Sequence, residues 1–587
     1  MLLRRIAPWG RTLAGVSLLL SLGAMPALAQ DDEEIQRHGI FLDSLDVSLV
    51  NVEVHATQDG IPVSDLTIED FEVFDDGKPV EITNFYRVEA GRRVSSDVEP
   101  AIETLDVEAV ELPSEEPSAV VVVVDHPFIS PMSRHLVFEN LDEQLESLLD
   151  AGTEVMVVSK TRTVEIAQEL TADPRAVRQT LDSLREKAAS DHATAVQLAI
   201  QEIELAPVLA QSRQSGRGGG GAAQATAEAD ARKALQIARA HSDKAFADVQ
   251  HSLDLLRDLL GSLAGLPGRK AVLYVADRLP LRSGELVWRA WYERYGLDWG
   301  TRLGAPTVDA ALLDYDSSVV VRELIATANA NRVAFYPIGV GADAGPNLSS
   351  AANRGGGSTT RFFMRNQENN QGLRWLANGT GGRPAIGRGD VAGFFQDLHQ
   401  DLTDYYSLAW ASPHRGDGDN HKIEIRVKRP GVEVRFLSEY QDKSADQQMA
   451  DQTLSALVFG LGENPLDVRV KVGDPKSKKR GEVAVPLEVQ VPVANLVLVP
   501  GRETHVGKIS VQMVVRDPEG RLSDSSGVRI PIEIPHASML DAVSEVAAWR
   551  TELTLREGPQ TLAVGVRDEL GSTSSLLRLD LDTERRR

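Results

Sequence analysis

The chain contains no cysteine in 587 residues. That absence excludes thiol catalysis, thiolate metal sites, thiol redox chemistry and any disulfide staple, so every domain has to stand on its own packed core. Positive charge is also short: 62 lysines and arginines face 86 aspartates and glutamates, a formal net charge of -24. A chain of this sign lacks the positive field that nucleic-acid backbones and anionic lipid surfaces require. No apolar run beyond the first thirty residues is long and uncharged enough to span a bilayer. What is present is 42% hydrophobic residues with 25% charged, enough for buried cores. The length is too great for one core and implies several domains.

The first residues read as an export signal. Arg4, Arg5 and Arg11 precede the apolar run Leu13 to Leu22, and Ala27-Leu28-Ala29 leads into Asp31-Asp32-Glu33-Glu34. This is the order of a secretory signal peptide over 1–29, which places the mature chain in the periplasm or the medium with no membrane span.

Three textures follow. From Leu45 to Val54 apolar and polar residues alternate, Gln58-Asp59-Gly60 turns, Phe71 to Phe74 forms a second strand, and Val80 to Tyr86 a third. This β module, 45–87, is too small to bury a sandwich core alone. A Pro, Ser and Glu-rich linker leads to the continuous apolar run Ala119 to Val124, the mark of a strand covered on both faces. Val155 to Ser159, Ala271 to Ala276 and Val333 to Ile338 repeat it. Between them lie helical stripes at Val137, Leu141, Leu145 and Leu148, at Val177, Leu181 and Leu184 behind Asp173-Pro174, and at Val249, Leu253, Leu256 and Leu260 on a helix over 242–263. A last helix, capped by Asp390, carries Phe394, Phe395, Leu398 and Leu402. Alternating buried strands and amphipathic helices predict an α/β domain over 118–404, a doubly wound, mostly parallel sheet. Two low-complexity stretches, 212–230 and 343–371, are read as loop insertions. Strand signals return over 405–440 and again, without helices, over 453–582, which predicts a separate C-terminal β-sandwich.

Four stretches carry a family resemblance: LVNVEVHATQDGIPVSDLTIEDFEVFDDGKPVEITNF (49–85), AVVVVVDHPFIS (119–130), LPGRKAVLYVADRLP (266–280) and LANGTGGRPAI with GDVAGFFQDLHQDLTDYYSLAWASP (376–413). In this order the chain resembles the von Willebrand factor type A-related proteins of the acidobacterial type. The resemblance implies a six-stranded, mostly parallel sheet between helices, with ligands bound at the carboxyl ends of its strands. It further suggests that 45–87 and 405–440 pair into one sandwich from which the α/β domain emerges as an insertion.

Type A domains hold Mg²⁺ or Mn²⁺ through a first loop Asp-x-Ser-x-Ser, a threonine and a later aspartate. Here the matching positions are Asp125, Thr194 and Asp277, but Pro127 and Ile129 stand where the two serines belong and offer no side-chain oxygen. The reading is therefore a degenerate metal site, with Asp125 and Asp277 holding neighbouring loops instead. His126, beside Asp125, is either an acid/base group or ligand at the sheet edge, or a locally packed ring.

No G-x-S-x-G elbow, H-E-x-x-H helix or P-loop occurs, and the twelve histidines show no pair at metal-ligand spacing. Trp288, Trp291, Tyr292 and Tyr295 are dense enough for a binding hot spot, and their helical spacing equally suits a core-facing stripe. The sequence is thus read as an exported interaction protein, not an enzyme. Its expected partner is a protein or cell-envelope ligand, with the aromatic segment as the expected contact. A metal-dependent adhesin and an unrecognised secreted hydrolase are the rival readings.

Overall fold

The computed structural model describes residues 49–94, 118–149, 152–187, 192–205, 220–340, 370–386, 391–460, 462–478, 481–523 and 525–583. The export signal, the 95–117 stretch of the linker, residues 343–369 and Asp390 lie outside the described residues. The chain divides into a larger unit, Val47–Leu461, and a smaller one that holds Gly462–Arg587.

The larger unit is mixed α/β. Its central six-stranded sheet runs, in spatial order, Ala385–Ile386, Val333–Gly339, Arg269–Val275, Ser118–Asp125, Thr153–Lys160, Val164–Thr171. The first five are parallel and the last returns antiparallel through the short turn after Lys160. Every residue of Ser118–Asp125 and Arg269–Val275 is buried. The continuous β-branched runs in the sequence have this cause: helices cover both faces, so neither set of alternate side chains meets water. Val121, Val123, Val272 and Tyr274 pack under the helices Gly220–Leu263 and Ser318–Ala330. Val120, Val122, Leu273 and Val275 pack under Pro131–Leu149, Pro174–Arg185 and Val391–Thr403. Asp173 accepts from the Arg175 amide, with Pro174 at the first helical position.

Two antiparallel sheets of the same unit flank this layer in sequence. Leu49–Gln58 pairs with Tyr405–Ala411 and, past a switch at His55, with Val432–Arg435; Asn84–Glu89 pairs with the other edge of Tyr405–Ala411. Phe71–Asp75 lies in the facing sheet beside Asn420–Val427. Val52, Val54, Phe71, Phe85, Leu408, Trp410 and Ile425 share one core between the two sheets. The strands before and after the α/β layer thus complete each other.

Two boundaries differ from the sequence reading. The stretch 212–230 is not a loop throughout: the helix starts at Gly220 and continues to Leu263, 44 residues. Its first half carries Ala231, Ala234, Leu235 and Ala238, small residues at helical spacing and all buried. Low-complexity composition concealed an Ala-rich stripe that fits beneath bulky aromatics. The boundary at 453 falls inside the helix Ala445–Phe459, which belongs to the larger unit.

The smaller unit is an all-β pair of antiparallel sheets. Glu482–Pro492 pairs along its whole length with Val546–Arg556, and Thr504–Arg516 lies between Ser526–Pro535 and Pro559–Asp568. Val485, Val489, Val511, Val564 and Val566 form its core. Among the described residues, no helix is long and apolar enough to cross a membrane.

Candidate functional site

At the carboxyl edge of the central sheet Asp125 ends its strand, and Asp277 lies two residues past the end of Arg269–Val275. Asp125 is fully buried, and its partner across the parallel register is Lys160, the last residue of the next strand. Lys160 Nζ donates to Asp125 Oδ2 at 2.8 Å, with both side chains out of solvent. The same oxygen accepts from Tyr274 Oη at 2.6 Å and from Ser252 Oγ at 3.2 Å. Burial, then the adjoining Asp125 carboxylate, pushes the Tyr274 phenol well above its ordinary range, so it stays a donor. The Phe128 ring lies 5.6 Å from Lys160 Nζ and 4.5 Å from the Arg278 guanidinium.

Asp277 serves the loop. Its Oδ2 accepts from the Ser130 amide at 2.8 Å, and its own amide donates to the Phe128 carbonyl at 2.8 Å. Ser130 in turn heads the helix Pro131–Leu149, its Oγ accepting from the Ser133 amide. Thr194 lies in the first turn of the helix His192–Leu205, and its side chain is outside the described residues.

These residues do not suit a divalent ion. Ile129 is buried as core and Pro127 supplies no hydroxyl, so the first loop gives only Asp125. One Asp125 oxygen is held by three donors, one of them an ammonium that already supplies a positive charge. Asp125 Oδ1 has no hydrogen-bond partner among the described residues, but a second cation there would meet the Lys160 ammonium. The Lys160 pairing was missed in the sequence, although a lysine closing the apolar strand Val155 to Ser159 is an anomaly that marks it.

His126 faces a cation as well. Its Nδ1 lies 3.1 Å from Arg134 Nη1, and the Arg134 guanidinium also donates to the Lys187 and Arg185 carbonyls at 2.7 Å each. Burial, then the Arg134 and Lys187 charges, hold the imidazole down to about 4. The ring is neutral at pH 7 and accepts at Nδ1.

The aromatic segment is corrected by its burial. Trp288, Trp291 and Tyr295 are buried and Tyr292 half-buried, packed on Ala231, Ala234, Leu235 and Ala238. Trp291 Nε1 donates to the Ala231 carbonyl at 3.1 Å, and Trp291 meets Tyr292 edge to face at 4.9 Å. These four residues are the core beneath the helix Gly220–Leu263, and no partner can reach the two indoles without unfolding it. Around the sheet edge the exposed side chains include Met132, 69% exposed, and Arg162.

No family model matches the chain, and no curated protein matches it. Solved structures give only weak likenesses. An aerotolerance-related membrane protein from Bacteroides fragilis is 10% identical, covering 49% of this chain and 98% of its own, at a TM-score of 0.21. A mutant of the PilB minor pilin from Streptococcus sanguinis is 12% identical, covering 61% and 88%, at 0.22. A Bacteroides uniformis β-glucuronidase is 10% identical over 30% of this chain and 19% of its own, at 0.14. At these scores the likenesses carry no argument about function.

Proposed function

We propose that this chain is an exported interaction protein whose α/β layer is a von Willebrand factor type A-like, doubly wound module that has exchanged its cation for a lysine. It holds a protein or cell-envelope partner at the carboxyl edge of the sheet without a metal. The observation that carries this reading is the buried Asp125–Lys160 pair, 2.8 Å apart at the position where the family's ion would sit. A fixed ammonium removes the need for Mg²⁺ and also removes the open position that a partner's carboxylate would fill. The partner then has to be recognised by the rim, where Met132, Arg162 and the partly exposed Lys187 surround the edge.

The test is co-sedimentation of the purified chain with peptidoglycan sacculi and with envelope vesicles, in EDTA and in millimolar Mg²⁺. The expected result is binding to one of them that is equal in both buffers and lost in the Met132→Asp/Arg162→Glu double variant. Binding to neither preparation, binding only with Mg²⁺, or binding indifferent to the rim variant would overturn the proposal.

A further inference from the structure

A second constellation lies in the paired antiparallel sheets, away from the central sheet's edge. Asp75 ends the strand Phe71–Asp75, and Asp76 follows it in a turn with φ +47°. His421 is the second residue of Asn420–Val427, and His414 stands on the loop before it. Strand pairing sets Asp75 opposite Ile423, which brings both aspartates beside both histidines. One ligand atom from each of the four lies within 4.8 Å of all the others. Local histidine spacing does not reveal this set, because the aspartates that complete it stand some 340 residues away in the chain.

Asp75, Asp76 and His421 each have one atom turned to this centre while the other polar atom is already held, and His414 turns its Nε2 inward. Asp75 Oδ2 accepts from Tyr440 Oη at 2.7 Å and Trp410 Nε1 at 3.1 Å, leaving Oδ1 facing His414 Nε2 at 3.1 Å. Asp76 Oδ1 accepts from the Lys422 amide at 3.0 Å, leaving Oδ2 at 2.9 Å from His421 Nδ1 and 3.8 Å from His414 Nε2. His421 Nε2 lies 3.1 Å from Asp417 Oδ1, which itself accepts from the Asp419 amide. A carboxylate that accepts one imidazole N–H, so that the ring's other nitrogen faces inward, is the usual outer support of a metal-bound histidine. Carboxylates steadied by an indole, a phenol and a backbone amide complete that pattern.

We propose that Asp75 Oδ1, Asp76 Oδ2, His414 Nε2 and His421 Nδ1 bind one divalent transition-metal ion, of the zinc class. Two imidazoles and two carboxylates suit a borderline ion better than Mg²⁺ or Ca²⁺. Bonds of about 2.0–2.2 Å in a tetrahedron put neighbouring ligands about 3.3–3.6 Å apart, and the contacts of 2.9, 3.1 and 3.8 Å bracket that spacing. The two rings are stacked 3.4 Å apart and 11° from parallel, so they open from the stack as the ion enters. His414 is placed to turn, on a loop where Gly416 and Gly418 adopt φ +71° and +84°. The ion would clip the Phe71–Asp75 hairpin to the closing strands, cross-linking distant parts of a chain that has no disulfide to do so.

The experiment is calorimetric titration of Zn²⁺ into the EDTA-stripped, dialysed full chain, with circular dichroism to confirm that each variant folds. The expected result is one saturable ion per chain. His414→Ala and Asp76→Asn, both at partly exposed side chains, should each weaken it at least about tenfold, and Asp417→Asn should weaken it through His421. A His505→Ala/His536→Ala variant removes the exposed histidine pair of the smaller unit and should leave the affinity unchanged. Absence of a saturable site, an affinity unmoved by His414→Ala and Asp76→Asn, or loss with the His505/His536 variant would overturn the assignment.

Discussion

Replacing Lys160 with methionine is the sharpest perturbation of the sheet edge. Methionine keeps most of the length and apolar volume of the lysine stem but removes the ammonium that faces Asp125 at 2.8 Å. Both side chains are 1% exposed or less, so no water replaces the lost partner. Tyr274 and Ser252 still donate to the carboxylate, yet neither carries charge. Breaking one side of such a buried pair costs about 3–5 kcal/mol, because an uncompensated charge stays in the core. Converting Asp125 to asparagine in the same chain removes that charge while keeping an acceptor for Tyr274, so the double variant should be more stable than Lys160→Met alone. The assay is urea unfolding followed by tryptophan fluorescence. Trp288, Trp291, Trp299, Trp375 and Trp410 all lie in the larger unit, so the signal reports mainly its transition. A loss below about 1 kcal/mol for the single variant, or a double variant whose loss equals the sum of both singles, would refute the pairing.

Three further outcomes follow from the same packing. Burial, reinforced by Arg435, Arg269 and Arg383 against the pull of Asp401, lowers the buried His55 to about 3, and His126 is lowered to about 4. The unfolded chain takes up those protons below about 6.5 while the folded one does not, so stability should fall as pH drops from about 6.5 toward 4. The slope is at most about 1.4 kcal/mol per pH unit for each histidine. Urea midpoints of His55→Gln and His126→Gln should show a flatter acid limb, and an unchanged slope would contradict the assignment. Trp291→Ala should cost about 3–5 kcal/mol as a core truncation, and acrylamide should barely quench the emission of Trp288 and Trp291 in the native chain. Free access of the quencher would restore the surface reading of that segment. Gly382→Ala should destabilise the larger unit, since a Cβ there would stand 1.9 Å from the Phe335 carbonyl oxygen; a melting temperature equal to wild type would show that the strand can move aside.

How much of this was legible depends on where the information sits. The runs Ala119 to Val124 and Ala271 to Ala276 declare themselves because a strand covered on both faces has no polar alternation. The helix Pro174–Arg185 is marked by its Asp173 cap and apolar stripe. The first half of Gly220–Leu263 was not readable as a helix with a packed face, because alanine signals burial only when a bulky partner is known. That partner is the Trp288–Tyr295 segment, so one missed contact produced both the false loop and the false binding surface. The loop 125–130 suggests a degenerate ion site from the sequence alone, since Pro127 and Ile129 carry no side-chain oxygen. The Asp125–Lys160 pair depends on strand register, which sets the two residues side by side across parallel neighbours. The Asp75, Asp76, His414 and His421 set depends on pairing across some 340 residues, which local spacing does not encode.

In the proposed function, the Lys160 ammonium stands where a cation would otherwise be bound at Asp125. Crystals of the full chain soaked in Mn²⁺ and measured for anomalous scattering test it most directly. The expected result is no manganese peak within bonding distance of Asp125, with Lys160 Nζ still hydrogen-bonded to its carboxylate. A manganese peak on Asp125 with Lys160 turned away would contradict it and make the edge of the sheet a metal site.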